Sequence, residues 1–219
     1  MTKKDTNAKV TTQVKNLELV KERHRQIADA AVQLFIKNGF HKTTTREIAK
    51  AVGFSIGSLY EYVSSKEDVL YLVCEAIHDE VESGILNAKM HAATDLNALT
   101  DVIKEYIKVC DHMSDHLLLI YQETRSLPQK WRKKVLENEV RITNIFVEVL
   151  SGVAESEKLA HMDQRFIEMM AHNIMVLGHM WTFRRWYLTR KYSLDEYILF
   201  QTALILGLTG KKKLILDKE

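Results

Sequence analysis

Apolar side chains recur every three or four positions along most of the chain, which is the spacing of an amphipathic α-helix. In the segment 23–38, the residues that follow this spacing are Ile27, Ala30, Ala31, Leu34 and Phe35. Gly39 then ends the pattern, as glycine commonly does after the last turn of a helix. The pattern predicts a helix over 23–38 with one apolar face.

The next predicted helix is short and has its own start and stop signals. Thr44 and Glu47 have the spacing of a capping box, in which each side chain bonds the backbone N–H of the other residue. A helix should therefore begin near Thr45. It should end at Gly53, because glycine adopts the left-handed backbone conformation at little cost.

A third helix is predicted directly after that glycine. Ser55 can cap it, and Phe54 is placed to pack on Leu59 four positions into it. The residues then expected on or near its exposed face are Gly57, Ser58, Tyr60, Glu61 and Tyr62. Ser65 caps a fourth helix that starts at Lys66. Two short helices joined by a glycine turn make a helix-turn-helix, which places its second helix in the major groove of DNA.

Residues 23–75 resemble the TetR/AcrR family of bacterial transcriptional repressors. The positions that match the family pattern are Gly39, Thr45, Ile48, Ala49, Gly53, Ser55, Gly57, Leu59, Tyr60, Tyr62, Ser65, Lys66, Glu67 and Leu70. Phe54 replaces the usual Val and Val63 the usual Phe, which is an exchange of volume within one small core. Ile56 replaces an often polar residue and could contact a thymine methyl group. The acidic Glu61 could accept a hydrogen bond from cytosine, or repel phosphates.

The resemblance implies a set of DNA contacts. The implied DNA-binding residues are Thr45, Arg46, Ser55, Gly57, Ser58, Tyr60, Tyr62 and Lys66. Thr45, Arg46 and Lys66 would hold phosphates, and the serines and glycine would enter the groove. The two tyrosines would bind phosphate or pack on sugars. Tyr60 could instead be partly core, and Thr45 merely a helix cap.

From Lys66 onward the helical spacing continues with weak breaks. The predicted helices are roughly 66–90, 95–112, 115–125, 128–151, 162–190 and 194–208. One proline and eight glycines in 219 residues leave few breaks for strands and turns, so the expected fold class is all-α. With the resemblance, the prediction is an N-terminal three-helix helix-turn-helix DNA-binding domain at 20–67. A larger helical ligand-binding and dimerisation domain should occupy 68–219.

Residues 1–19 are expected to form a flexible basic arm. Its cations are Lys3, Lys4, Lys9 and Lys15, and it holds no apolar stretch of the kind that a signal peptide needs. The arm could follow DNA, remain a solvated tail, or extend the first helix from Leu17.

Charge is distributed unevenly along the chain. Residues 1–70 contain 12 Lys and Arg against 8 Asp and Glu, whereas residues 71–219 contain 19 against 21. The basic end therefore coincides with the helix-turn-helix. No apolar run reaches the length that spans a bilayer, and Cys74 and Cys110 are expected to be buried thiols rather than a disulfide. These features predict a cytoplasmic protein with no membrane partner.

The resemblance also implies a homodimer. In the family, the last two long helices of each subunit form a four-helix bundle with their symmetry mates. Residues 162–208 would therefore join two subunits, and a two-fold dimer can read a palindrome.

An effector site is implied in the middle of the chain. Methionine and aromatic side chains suit an adaptable apolar cavity, and arginines there could bind phosphate or carboxylate. The candidate ligand-binding residues are Tyr106, Met113, Leu117, Tyr121, Arg125, Met175, Trp181 and Arg184. They could equally be ordinary core or solvated surface. The segments 121–131 and 179–188 loosely resemble TetR-type regulators of fatty-acid metabolism, which points to a fatty acyl-CoA or a fatty acid.

The predicted function is a ligand-responsive dimeric repressor that releases a palindromic operator when it binds a small hydrophobic effector. One alternative is an activator, or a regulator that answers to a protein partner. Another is a helical interaction or lipid-carrier protein that retains an unused helix-turn-helix scaffold.

Other chemistry has little support in the sequence. His112 and His116 have a spacing that can chelate zinc, but without further ligands a polar helix face is the better interpretation. No Gly-rich phosphate loop, nucleophile elbow or zinc-protease motif occurs. We therefore expect no enzyme, no cofactor and no metal site.

Overall fold

The computed structural model of the chain describes residues 9–90, 95–159 and 161–208. All regular structure within these ranges is helical, which confirms the all-α prediction. The helices are α1 (Leu17–Asn38), α2 (Thr45–Val52), α3 (Ile56–Tyr62), α4 (Lys66–Met90), α5 (Leu96–His112), α6 (Ser114–Glu123), α7 (Gln129–Ser156), α8 (Gln164–Phe183), α9 (Arg185–Leu188) and α10 (Leu194–Leu208), with a 3₁₀ turn at Thr124–Ser126. None of these described helices is long and apolar enough to cross a membrane.

The described residues form two compact units. The first unit contains residues up to 78 together with 119–138, and the second contains 79–118 together with residues from 139 onward. The predicted domain boundaries at residues 19 and 67 stay predictions. Residues 17–19, which were expected in the arm, belong to α1, and residues 1–8 lie outside the described part of the chain.

The first unit has a small core beneath the helix-turn-helix. Ile27, Ile48 and Leu59, one from each of the first three helices, are fully buried. The carboxylate of Asp68 on α4 is also buried, and it accepts hydrogen bonds from the indole N–H of Trp131 at 2.7 Å and from the amide of Ser64 at 3.0 Å. Because both of its oxygens have donors, the buried carboxylate is satisfied rather than stranded in the core.

The predicted helix over 162–190 is wrong in one respect, because it is interrupted at Arg184. α8 ends at Phe183, and α9 begins at Arg185. The Arg185 guanidinium donates to the Asp111 carbonyl and to Ser114 Oγ, both at 2.8 Å, and it lies 3.1 Å from the Asp111 carboxylate. These contacts bind the first residue of α9 to the end of α5 and the start of α6, at the point where the helix is interrupted. The predicted helix over 128–151 is also longer than expected, because α7 continues to Ser156.

In the second unit, α5 and α8 pack at close range. Tyr106 is fully buried, and its hydroxyl donates to the Met175 carbonyl at 3.0 Å. A Cβ atom added to Gly178 would lie 2.4 Å from the Tyr106 ring and 2.8 Å from Cys110 Sγ. The close contact therefore depends on the missing side chain at Gly178. Burial raises the pKa of the Cys110 thiol to about 12, and Cys110 and Cys74 are both buried and not joined by a disulfide, as predicted.

Replacing Gly178 by Ala is expected to destabilise the fold by about 1 to 3 kcal/mol, because the new methyl group forces α5 and α8 apart. For a chain of this length, thermal denaturation followed by circular dichroism should show a midpoint lowered by about 3 to 10 °C. Gly57→Ala is the matched control, since its nearest neighbour would be Ser55 Oγ at 3.7 Å. An unchanged midpoint in the Gly178→Ala protein would show that the contact is not tight.

Candidate nucleic-acid interface

The N-terminus of α2 is held by the predicted capping box. The Glu47 amide donates to Thr44 Oγ1 at 3.2 Å, and the Thr44 amide donates to Glu47 Oε2 at 2.8 Å. The hydrogen bonds from the Thr44 backbone and side chain keep the pKa of Glu47 below its usual value. Gly53 ends the helix with φ of 82°, in the left-handed region, as predicted. The turn between α2 and α3 is therefore specified locally.

The exposed face of α3 carries small and polar residues together with the apolar side chain of Ile56. Ser55 caps the helix by accepting from the Ser58 amide at 3.0 Å, and the two serine hydroxyls lie 2.9 Å apart. Gly57 is exposed next to them. Tyr60 is exposed too, and its hydroxyl lies 3.2 Å from Thr45 Oγ1 in the first turn of α2. Five of the candidate DNA-binding residues thus lie on one continuous surface.

Tyr62 does not belong to that surface, and the prediction that it is exposed is wrong. Its side chain is only 8% exposed, and its ring packs on Phe54 at 6.2 Å between centroids. The Tyr62 carbonyl accepts a hydrogen bond from His24 Nε2 at 2.9 Å. The reason is helical geometry: residue 62 follows the fully buried Leu59 by three positions, so both face inward.

Lys66 has a structural role that the sequence did not indicate. Its ammonium group donates to the carbonyls of Phe40, His41 and Thr43 at 3.0 to 3.2 Å, and it lies 4.4 Å from the centre of the Phe40 ring. A lysine has three donors, and here three carbonyls accept from them. Lys66 therefore fixes the turn before α2, and a phosphate would have to compete with these bonds.

Known proteins that this chain resembles include transcriptional regulators. The family model described as bacterial regulatory proteins of the tetR family matches residues 27–71. The chain is 26% identical to the HTH-type transcriptional regulator HbdR of Aromatoleum sp. (strain CIB), over 95% of this chain and 91% of that protein. It is 30% identical to the fatty acid metabolism regulator protein of Bacillus subtilis (strain 168), over 68% of this chain and 77% of that protein. The chain belongs to the TetR family.

Solved structures agree with this assignment at the level of the fold. The structure of AibR in complex with isovaleryl coenzyme A and operator DNA superposes with a TM-score of 0.63 at 20% identity, covering 86% of this chain and 96% of AibR. HbdR and the Bacillus subtilis relative are both named as regulators. This TetR-family chain is accordingly a DNA-binding transcriptional regulator with a helix-turn-helix.

Two exposed cations beside the helix-turn-helix were not among the predicted residues. Lys50 follows the exposed Arg46 by four positions on α2, so both side chains lie on one helix face. Lys42 is exposed in the turn that precedes α2. The four-residue spacing of Arg46 and Lys50 could have shown from the sequence that both cations lie on one face of α2. These three cations are candidates for the phosphate contacts that the TetR resemblance assigned in part to Lys66.

The candidate ligand-binding residues are divided between the two units. In the second unit the buried candidates are Tyr106, Met113, Leu117, Met175 and Trp181. Arg184 of the same unit is exposed, as are Tyr121 and Arg125 of the first. Trp181 donates its indole N–H to the Asp111 carboxylate at 2.8 Å. The buried candidates are packed core in this structure, so an effector could reach them only if that core opened.

The second unit also has an open cleft, which lies away from the candidate ligand-binding residues. It has a volume of about 450 Å³, between the end of α7 and the start of α8. None of the eight candidate ligand-binding residues lines it. Across the described ranges, no group of three or more His, Cys, Asp or Glu side chains is placed to hold a metal ion.

Proposed function

We propose that this TetR-family regulator is a dimeric repressor that binds a palindromic operator through α2 and α3 and releases it on binding a small hydrophobic effector. The observation that carries the proposal is the exposed face of α3, where Gly57 lies beside the capping Ser55 and Tyr60 reaches Thr45 in the first turn of α2. Small and polar residues on a helix can approach base edges, and an apolar side chain such as that of Ile56 can contact a thymine methyl group. The exposed cations of α2 can hold phosphates and set the register. Because it acts on DNA, the protein would work in the cytoplasm.

The homodimer is proposed to form through residues 162–208. On α8, Met169, Val176 and Phe183 recur every seven residues and are exposed, which is the spacing of helices that pair along their length. On α10, Phe200 and Leu204 are exposed one turn apart. Large exposed apolar faces are uncommon on monomers and mark interaction surfaces. Two subunits joined there would present two α3 helices to the two half-sites of a palindrome.

The proposed effector is a fatty acyl-CoA or a fatty acid. One relative is named as a fatty acid metabolism regulator, and AibR was solved with an acyl-CoA. The buried methionines Met113 and Met175 support an apolar ligand, because a flexible thioether side chain can repack around an acyl chain. Such a ligand would weaken operator binding only as far as it prefers the state that does not bind DNA.

Fluorescence anisotropy on labelled DNA from the region upstream of the protein's own gene tests this proposal. We expect saturable binding that is stronger than binding to random duplex. The logarithm of the binding constant should fall linearly with the logarithm of the salt concentration. Adding acyl-CoAs and free fatty acids of graded chain length should release the DNA at one preferred length. Equal binding to random duplex would refute the operator assignment, and binding that no acyl compound relieves would refute the effector class.

A further inference from the structure

The segment before α1 has an alternating pattern of burial. Val10 is buried and Thr12 and Val14 are half-buried, whereas the side chains between and beside them are exposed. The exposed residues are Lys9, Thr11, Gln13 and Lys15. Alternation with a period of two is typical of extended backbone lying on a surface, and here it continues on both sides of a bend at Gln13. The outward side of this segment is therefore entirely polar and carries two cations.

The segment is attached to the C-terminal end of α3. The Gln13 amide and the Thr12 hydroxyl both donate to the Glu61 carbonyl at 2.9 Å. Thr12 Oγ1 also accepts from the Val14 amide at 3.1 Å. At the far end, Asn16 caps α1 by accepting from the Leu19 amide at 3.1 Å. The buried Val10, the Glu61 carbonyl and the α1 cap thus hold the segment at three places.

We propose that the segment Lys9–Lys15 is a second DNA-contacting element, which binds backbone phosphates beside the groove that α3 enters. The proposal rests on the function proposed above, since it requires α3 to lie on duplex DNA. α3 has seven residues and is about 10 Å long, so an element bonded to its last turn lies within one groove width of its first. Lys9 and Lys15 stand at opposite ends of the segment, with a bend at Gln13 between them, so they would reach different phosphates. Because the segment is already held in place, DNA binding would cost little conformational entropy in this part of the chain.

The test is the salt dependence of operator binding by the full-length protein with Lys9→Ala and Lys15→Ala. In the proposed dimer, losing two phosphate contacts in each subunit removes four contacts per complex, so the slope of log K against log salt should fall by about 3.6. The affinity at low salt should fall roughly tenfold or more. The thermal midpoint should not change, because both side chains are exposed. A slope equal to that of the wild type would overturn the proposal.

Two further variants separate position from charge. Lys104→Ala with Lys133→Ala removes the same charge from exposed sites on α5 and α7, and it should leave slope and affinity unchanged. Lys9→Arg with Lys15→Arg should retain the wild-type slope. If the Lys104 and Lys133 variant lowered the slope equally, net charge would explain the effect and the proposed contact would be wrong.

The attachment to α3 is tested by Thr12→Val with Gln13→Pro, which removes both donors to the Glu61 carbonyl and keeps both lysines. We expect weaker operator binding, because the lysines would no longer be held beside the groove. Wild-type affinity in this variant would contradict an anchored element. Failure of the wild-type protein to bind the operator would refute the proposed function itself. An unchanged slope in the Lys9 and Lys15 variant of a binding protein would refute this inference alone.

Discussion

A protein with Phe200→Asp and Leu204→Asp should be monomeric and should bind the operator on the order of 100-fold more weakly than the wild type. Both side chains are more than half exposed on α10, within the proposed dimer interface. Burying large apolar side chains stabilises an interface by about 1.5 to 3 kcal/mol each, and unpaired carboxylates there would oppose association. A monomer presents one α3 helix, so it loses the gain from binding two linked half-sites. Sedimentation velocity and fluorescence anisotropy measure the two effects.

The chain offers a closely matched control for this variant. Leu136 and Val140 on α7 are 55% and 54% exposed and four residues apart, as are Phe200 and Leu204 at 55% and 54%. Leu136→Asp with Val140→Asp should remain dimeric and bind DNA normally. A monomeric control together with a dimeric α10 variant would place the interface on α7 instead. A dimer in both proteins would contradict the proposed interface on α10.

Replacing Gly57 by Leu is expected to lower operator affinity on the order of 100-fold or more, without loss of stability. Gly57 is exposed on α3, and an added Cβ would meet only Ser55 Oγ at 3.7 Å, so the free protein accommodates a side chain. In the complex, the isobutyl group would occupy the space between helix and base edges and would break several contacts worth about 1 to 3 kcal/mol each. Anisotropy on operator DNA measures the loss, and circular dichroism checks the thermal midpoint.

Two variants show whether the effect belongs to the groove-facing position. Gly57→Ala should weaken binding less than Gly57→Leu, because its single methyl group intrudes less. Ser83→Leu adds the same side chain at an exposed position of α4, outside the helix-turn-helix, and should leave affinity unchanged. If Gly57→Leu bound the operator as tightly as the wild type, α3 would not enter the groove with this face.

Much of the helix-turn-helix was predictable because its signals are local. The capping box between Thr44 and Glu47, the left-handed Gly53 and the Ser55 cap each involve residues three or fewer apart, or a single backbone conformation. Such features depend on chain geometry that holds in any context. The helices of the second unit followed from apolar spacing in the same way. The amino-acid order alone therefore determined the fold class and the position of the candidate DNA-binding helix.

The candidate site itself was predicted only in part. Thr45, Gly57 and Tyr60 are where the sequence placed them, on one surface. Tyr62 was predicted on or near that surface from the helical pattern, but it is buried, because it follows the inward-facing Leu59 by three positions. The candidates for the effector site in the second unit are mostly buried, and their role in binding an effector stays a prediction. Periodicity marks which face of a helix is apolar, but it cannot distinguish a side chain that fills the core from one that lines a cavity.

What only the tertiary structure decided involves residues far apart in the chain. Lys66 bonds carbonyls more than 20 positions away, Trp131 donates to Asp68 across 63 positions, and Arg185 reaches Asp111 across 74. The segment before α1 is held by the Glu61 carbonyl, which lies 48 residues after Gln13 in the chain. A single sequence holds no local signal for such pairings, because they depend on how packed helices bring their side chains together. Local spacing determined the helices and their caps, and packing determined which of their polar groups remain available to bind DNA.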